Sequence, residues 1–466
     1  MAEDQIKTPI TETAPQLEDE ELSLKETILP IRDKDLPPII REIVSNAPQN
    51  RKLPSFIACL SPLCALATRI RLNYYYDGAR QSALLLQVII EAPQSSGKQF
   101  AADIEKLLME NTLQAHDKEQ RRLEQKYRER KRSRGANEKM EEEPKTTIRV
   151  IPATISKTVL VKRADFYERN LGDVLTFWMF AEELAQVTDA GKQGYSNLRT
   201  IMRTAYDFGS RFGMDFASDN SYSAIVDINI CSMFCATPSA LDDYIDKKAI
   251  EGGNITRTVL CQLEDQIGSD GALFKPYTTE QLSTIHNMLN RIMQDTYSPE
   301  GALQPELNLD MRWIDKDVRH WCTTKGTEAL KTGSTAIDVF RKRSSVSAFR
   351  IASLCYYLYQ LEGCPEPLAQ KRSRRIYLFM ADYILNTLLK RWGKRFEELQ
   401  AKREDQSQES GRTKLIDRLS KEFSRDQLRA IISELQVATP DRVLISQWKA
   451  NHWIEVIDKN QYRKLI

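Results

Sequence analysis

The passage Ser82-Ala-Leu-Leu-Leu-Gln-Val-Ile-Ile-Glu-Ala-Pro-Gln-Ser-Ser-Gly-Lys-Gln99 constrains this chain more than any other. An apolar run of strand length stops at a short polar turn ending in Gly97-Lys98. A helical pattern follows at once, with Ile104, Leu107 and Leu108 on one face. That order predicts a buried strand that delivers its C-terminal end to a helix N-terminus. Backbone N–H groups of the turn and of the first helical turn then face one point, where an anion is held by dipoles and by the lysine's charge. On this reading the phosphate-holding residues are Ser95, Ser96, Gly97, Lys98 and Gln99. Two positions depart from the full G-x-x-x-x-G-K-[ST] pattern. Ala92 stands where the first glycine is expected, and Gln99 stands where a hydroxyl would meet Mg²⁺.

Composition narrows the class further. The 466 residues give room for two to four domains, and 67 Lys+Arg nearly balance 65 Asp+Glu. Any nucleic-acid contact must therefore come from local patches rather than from global charge. The opening Met1-Ala-Glu-Asp has no apolar h-region, and no apolar run reaches the ~18 residues of a membrane span. The eight cysteines are scattered through apolar stretches without a C-x-x-C pair. Reduced core thiols are expected, with Cys231 and Cys235 on one face of a strand. A cytoplasmic protein without membrane contact is the expectation.

Beyond the phosphate turn, two more strands end in polar residues. Val174 to Ala181 is apolar and stops at Glu182-Glu183. Carboxylates at the end of a strand beside a phosphate turn can hold Mg²⁺ (Glu182) and orient a water (Glu183), although an ordinary loop also often begins with acids. Ala224 to Ala236 reads as a strand ending at Thr237-Pro-Ser239, so Thr237 either faces a terminal phosphate or caps a helix. Glu251-Gly-Gly-Asn-Ile-Thr-Arg257 puts an arginine past a glycine turn, either to stabilise transferred charge or as a surface residue at a strand start. Arg350, inside the apolar run Val346 to Leu358, needs a partner; a salt bridge and a phosphate contact are the two readings.

Charge and punctuation divide the rest. Residues 1–24 are polar and acidic and read as a disordered leader. Residues 25–333 form the core, opened by a helical region from Leu36-Pro-Pro and interrupted by a charged insertion at 114–145. That insertion reads as a solvated helical hairpin or as a nucleic-acid arm, on which Arg130, Lys131, Arg132 and Arg134 would meet phosphates. A helical region at 334–400 and a polar linker at 401–411 follow. Residues 412–466 read as three helices and a β-hairpin, a winged helix. Its second helix is capped by Ser424. Its third, capped by Thr439 with Pro440 at its first position, presents Arg442, Gln447 and Lys449 outward while Leu444 and Trp448 face in. DNA contact and protein docking are both open to such a module.

The succession Leu36-Pro-Pro, Ala92-Pro-Gln-Ser-Ser-Gly-Lys98, Phe180-Ala-Glu-Glu183, Cys235-Ala-Thr-Pro238 and Gly252-Gly-Asn-Ile-Thr-Arg257 resembles a P-loop family of bacterial mobile elements and prophages. That family is classed as a domain of unknown function, is often associated with primase modules, and is regarded as helicase-like. The resemblance covers about residues 35–400 and implies an α/β fold: a RecA-like P-loop NTPase core with helical flanks, a charged helical insertion and a C-terminal winged helix. It implies ATP and Mg²⁺ as cofactors, DNA as partner (single-stranded, with duplex for the tail), primase or replication proteins nearby, and a homo-oligomer. Here Glu182 holds the position where the family usually has Asp, and Gln99 replaces a small or hydroxyl residue. Both departures touch the metal, and so bear on turnover more than on nucleotide binding.

Overall fold

The computed structural model describes residues 29–74, 77–133, 142–192, 198–215, 222–263, 272–434 and 439–465. The expected leader at 1–24 and Arg134 lie outside them. The chain divides into two compact units, Met1–Gly393 and Lys394–Ile466.

The first unit is an α/β structure built on a five-stranded, all-parallel sheet. Its strands in chain order are β1 (Gln87–Glu91), β2 (Val150–Pro152), β3 (Thr176–Ala181), β4 (Asn229–Ala236) and β5 (Thr258–Gln262). They lie side by side as β2-β3-β4-β1-β5. Register is fixed by pairs such as Glu91 with Ala236, Glu91 with Gln262 and Ala181 with Phe234. All residues of β1 and β4 are buried, as expected of strands covered on both faces. Short β2 takes the edge, where Pro152 removes no needed ladder donor.

Two sequence readings need correction here. The run from Ser82 to Glu91 is not one strand, because Asp77–Ala83 pairs antiparallel with Ile70–Tyr74 in a separate, mixed sheet and only β1 enters the core. Likewise Ala224–Asp227 pairs with Arg211–Met214, and the core strand begins at Asn229. In both places an apolar run continues while its hydrogen-bonding partner changes, and hydrophobicity does not register such a change.

Helices cover this sheet. Lys52–Leu66 is buried along nearly its whole length, and Ser61 Oγ lies 2.8 Å from the Leu86 carbonyl and 2.9 Å from that of Ser232. Thr335–Glu362 and Glu366–Leu388 pack as a helical hairpin turned by Gly363, whose φ of 80° suits a residue without Cβ. They form one compact unit with the sheet. Among the described residues the charged insertion holds one long helix, Ala115–Ser133. Its return leg from Glu142 to Arg149 is non-helical and lies along the helix base. Asp117 Oδ2 accepts from the Arg149 and Val150 amides at 2.8 and 2.5 Å, and Arg121 donates to the Val150 carbonyl at 2.7 Å.

The second unit has its own apolar core, which includes Leu415, Phe423, Leu428, Leu444, Trp448, Ile454 and Tyr462. The polar stretch read as a linker lies within the helix Lys394–Asp417, in keeping with the helix-forming Glu, Lys, Arg and Gln that dominate it. A strand at Glu422–Ser424, helices Arg425–Glu434 and Asp441–Ala450, and a hairpin of Ile454–Asp458 with Gln461–Lys464 follow. The three strands form one antiparallel sheet with Gln461–Lys464 in the middle. Ser424 Oγ accepts from the Gln427 amide at 3.2 Å while the Gln427 side chain accepts from the Ser424 amide at 2.7 Å, a reciprocal cap. The third helix starts one residue later than expected: Pro440 is its N-cap, and no side chain caps it. Among the described residues no helix is long and apolar enough to cross a membrane. All eight cysteines are free, and seven are buried.

Candidate functional site

Parallel strands point their C-terminal ends to one side of a sheet, and ligands of such folds sit in the crevice outside those ends. At that side a cavity of about 580 Å³ is lined by Gln94, Ser95, Lys98, Gln99, Ala102, Glu182, Glu183, Leu184, Ala185, Cys235, Thr237 and Ala240. Three strand ends therefore contribute: the turn after β1, the acid pair after β3 and the threonine after β4.

The turn is shaped by its own backbone. Ser95 and Gly97 have φ of 60° and 74°, so left-handed residues alternate with others, the backbone pattern on which anion-binding nests are built. Gly97 adopts this form without strain; Ser95 carries a Cβ there at some cost. Ser96 is buried and its hydroxyl donates to the Pro93 carbonyl at 2.7 Å, so it braces the turn and does not line the cavity. Lys98 Nζ donates to the carbonyls of Ala92 and Pro93 at 3.1 and 3.3 Å. An ammonium has three donors, which leaves one for a ligand. The helix Gln99–Met109 starts directly afterwards, with Gln99 at its first position and on the cavity wall.

Glu182 and Glu183 are both exposed, in the short link between β3 and the helix Leu184–Lys192. The Thr237 hydroxyl accepts from the Ala240 amide at 3.3 Å, capping Pro238–Tyr244, and the residue also lines the cavity. Cys235 lies in the same wall. Burial pushes its thiol up to about 12, with Lys98 pulling it down and Glu182 raising it further.

Arg257 is not part of this site. It ends a short 3-10 turn just before β5, and Thr258 pairs with Gln87 at the start of β1. The arginine therefore lies at the N-terminal end of the strands, about 16 Å of strand from the phosphate turn. There it donates to Asp207 at 3.0 Å and to the Gly253 carbonyl at 3.0 Å. Arg350 does not make the expected salt bridge among the described residues. Its guanidinium donates to the Leu85 carbonyl at 2.9 Å and to Ser82 Oγ at 3.3 Å, and lies 4.3 Å from the Tyr206 ring centre.

Three residues that the sequence did not single out support the cavity. Arg51, buried in the turn Gln49–Arg51, donates to the Ser96 carbonyl at 3.1 Å and so holds the phosphate turn from behind. Nothing local in the sequence marks it, because its partner is far along the chain. Glu105 is a buried carboxylate on the helix that follows the turn, and its Oε1 accepts from Trp178 Nε1 at 3.0 Å and from Gln114 at 2.9 Å. Burial raises its pKa, the two hydrogen bonds lower it, and Glu182 and Glu110 raise it again, for a net rise. A signal existed: Glu105 shares a helix face with Ala101 and Leu108, where an acid is out of place. Arg391, in the π-helical turn Leu389–Gly393, bridges Glu91 at 3.1 Å and Asp242 at 2.8 Å. Gln262 donates to the other Glu91 oxygen at 2.8 Å.

The residues expected to meet nucleic acid are exposed but partly engaged. Arg130, Lys131 and Arg132 occupy the tip of the charged helix. Closer to its base, Arg122 pairs with Glu119 and Arg128 with Glu124. In the second unit Arg442 and Lys449 are exposed, with Lys449 Nζ 5.5 Å from the Tyr462 ring centre. Arg425 and Arg429 both donate to Asp441 Oδ2 at 2.7 Å, chiefly the first of which pulls its carboxyl down to about 2. Neither a protein-family model nor a curated protein matches the chain.

Proposed function

We propose that this chain binds ATP with Mg²⁺ and hydrolyses it, as a helicase-like protein acting on DNA in the replication or mobilisation of a mobile element or prophage. The observation that carries this reading is the convergence of the phosphate turn, Lys98, the Glu182–Glu183 pair and Thr237 around one cavity at the C-terminal ends of three parallel strands. The placing of β4 between the phosphate-turn strand and the carboxylate strand supports a RecA-like form of the core.

In this reading the turn's N–H groups and the free donor of Lys98 take the β- and γ-phosphates. Mg²⁺ is commonly held by one or two carboxylates together with substrate phosphates and waters, and the oxygen donors of Glu182 and Glu183 facing the turn fit that habit. When bound, the ion would neutralise charge on the phosphates. Glu182 supports it. Glu183 orients the attacking water and accepts its proton, and Thr237 offers a hydroxyl to the terminal phosphate. Gln99 brings a longer side chain with an amide to the place of the usual short hydroxyl, which changes the reach and direction of the oxygen offered to the ion.

That substitution, with Glu182 in place of aspartate, motivates the second reading: a non-catalytic P-loop protein that serves as a DNA-binding or assembly factor. On either reading the second unit acts as a winged helix, a view supported by its reciprocally capped helix, third helix and three-stranded wing. The deciding measurement is Mg²⁺-dependent ATP hydrolysis with and without single-stranded DNA. Turnover that is stimulated by the strand and abolished in Lys98→Ala supports the ATPase. Nucleotide binding without turnover supports the second reading, and no nucleotide binding removes the ATPase.

A further inference from the structure

The end of the sheet away from the cavity gathers three guanidiniums around one ring. Arg257 precedes β5, while Arg343 and Arg350 lie two turns apart on Thr335–Glu362. Their Cζ atoms are 5.9, 5.8 and 4.3 Å from the Tyr206 ring centre. One carboxylate serves them among the described residues. Asp207 accepts from Arg343 Nη1 at 2.6 Å through Oδ1 and from Arg257 Nη2 at 3.0 Å through Oδ2. Arg350 has only a carbonyl and a hydroxyl.

Three positive charges against one negative leave an excess of two (3 − 1) in a half-buried place. The side chain of Arg257 is 14% exposed and Arg350 is 3% exposed. Burial, and next the charge of Arg343, lowers the pKa of Arg257, which is the mark of like charges held together. Crowded, desolvated guanidiniums are stabilised further when an anion joins them. The Nε atoms of Arg257 and Arg350 are buried without a hydrogen-bond partner.

Arg343 supplies the way in. Its side chain is 32% exposed and spends only Nη1 on Asp207, so Nε and Nη2 have no protein partner among the described residues. Two parallel N–H donors of one guanidinium match two oxygens of a phosphate, and guanidinium is weakly hydrated enough to give up water for it. An excess of two charges suits successive phosphodiesters or a phosphate dianion better than a lone carboxylate.

We infer that the Arg343 fork, backed by Arg257 and Arg350, is a second anion site that takes a phosphate group, at the opposite end of the sheet from the nucleotide cavity. The phosphate comes either from the backbone of a single strand or from a small molecule. The inference does not rest on the role proposed for Lys98.

The test measures a labelled oligothymidylate by fluorescence anisotropy across a salt series, and inorganic phosphate by its effect on melting temperature. Parent, Arg343→Gln, Arg343→Lys and Lys98→Ala are compared. For a strand, Arg343→Gln weakens affinity roughly tenfold and reduces the log–log salt slope by about 0.7, the loss of one neutralised phosphate. Arg343→Lys keeps the slope and loses most of the affinity, because charge remains without the fork. For a small molecule, oligothymidylate binding is unchanged, while phosphate raises the melting temperature of the parent and not of Arg343→Gln. If neither arm responds to Arg343→Gln, the site does not exist. If Lys98→Ala abolishes the same responses, the anion was in the nucleotide cavity and the inference is overturned. Arg343→Gln leaves the Asp207–Arg257 pair in place, and should it fail to fold, Arg343→Lys carries the same comparison.

Discussion

The two ends of the central sheet hold similar polar inventories put to opposite use. At the C-terminal end, backbone N–H groups, one lysine, two exposed carboxylates and a hydroxyl surround open space of about 580 Å³. At the N-terminal end, Arg257 and Arg350 close on Tyr206 beside Asp207, each donating through two nitrogens to protein acceptors and keeping a buried Nε without a partner. Charged residues at strand ends carry no functional meaning until strand direction is known. In a parallel sheet all C-terminal ends lie together, so residues just after strands converge and residues just before them are kept away from that site. Glu182, Glu183 and Thr237 follow their strands; Arg257 precedes its own.

That contrast can be broken by substitution. The largest effect is expected at Glu183. If it orients and deprotonates water, Glu183→Gln lowers the rate of ATP turnover by about 10²–10⁴ with nucleotide affinity nearly unchanged. A parental rate would remove Glu183 from the chemistry. Next comes the pair Lys98→Ala and Arg257→Ala, compared by calorimetry with ATP. The lysine variant should lose roughly 10- to 100-fold in affinity, the value of a charge-assisted hydrogen bond. The arginine variant should bind as the parent does. Equal losses in the two would mean that the ends of the sheet are not functionally separate.

The smallest effect sharpens the account of the cavity end through pH. Burial first, with Glu182 and Glu110 adding to it, holds the Glu105 carboxyl above its ordinary range. The folded chain therefore keeps that proton to higher pH than the unfolded chain does. Stability falls as pH rises from the ordinary glutamate range through the raised folded value, and no further above it. In Glu105→Gln the amide oxygen can still accept from Trp178 and Gln114, but nothing ionises. Variant and parent should melt alike in acid, and the variant should melt higher by on the order of 2 °C at about pH 8. A variant that melts lower at every pH would make the carboxylate a structural acceptor that an amide cannot replace.

Much of the cavity was legible in the sequence because its signals are local. Gly97-Lys98 after an apolar run, Glu182-Glu183 after another and Thr237-Pro238 after a third each announce a strand end within a few residues. Strand limits were less legible. Leu84 to Leu86 and Ile228 are as apolar as their neighbours, yet there the chain leaves one sheet for another. Arg51, Arg391 and Arg350 were illegible as to role, since each is defined by carbonyls or carboxylates distant in sequence. Glu105 lay between these cases: its face on the helix was readable, its indole partner was not.

Arg391 has a mechanical consequence. It is joined to Glu91, the last residue of β1, and to Asp242 on the helix after Thr237, and the first unit ends just beyond it at Gly393. Tension applied to the chain from Lys394 onward enters the core through the turn Leu389–Gly393. The two ion pairs of Arg391 fasten that turn at two places in the first unit, to the end of the strand that carries the phosphate turn and to the helix that Thr237 caps.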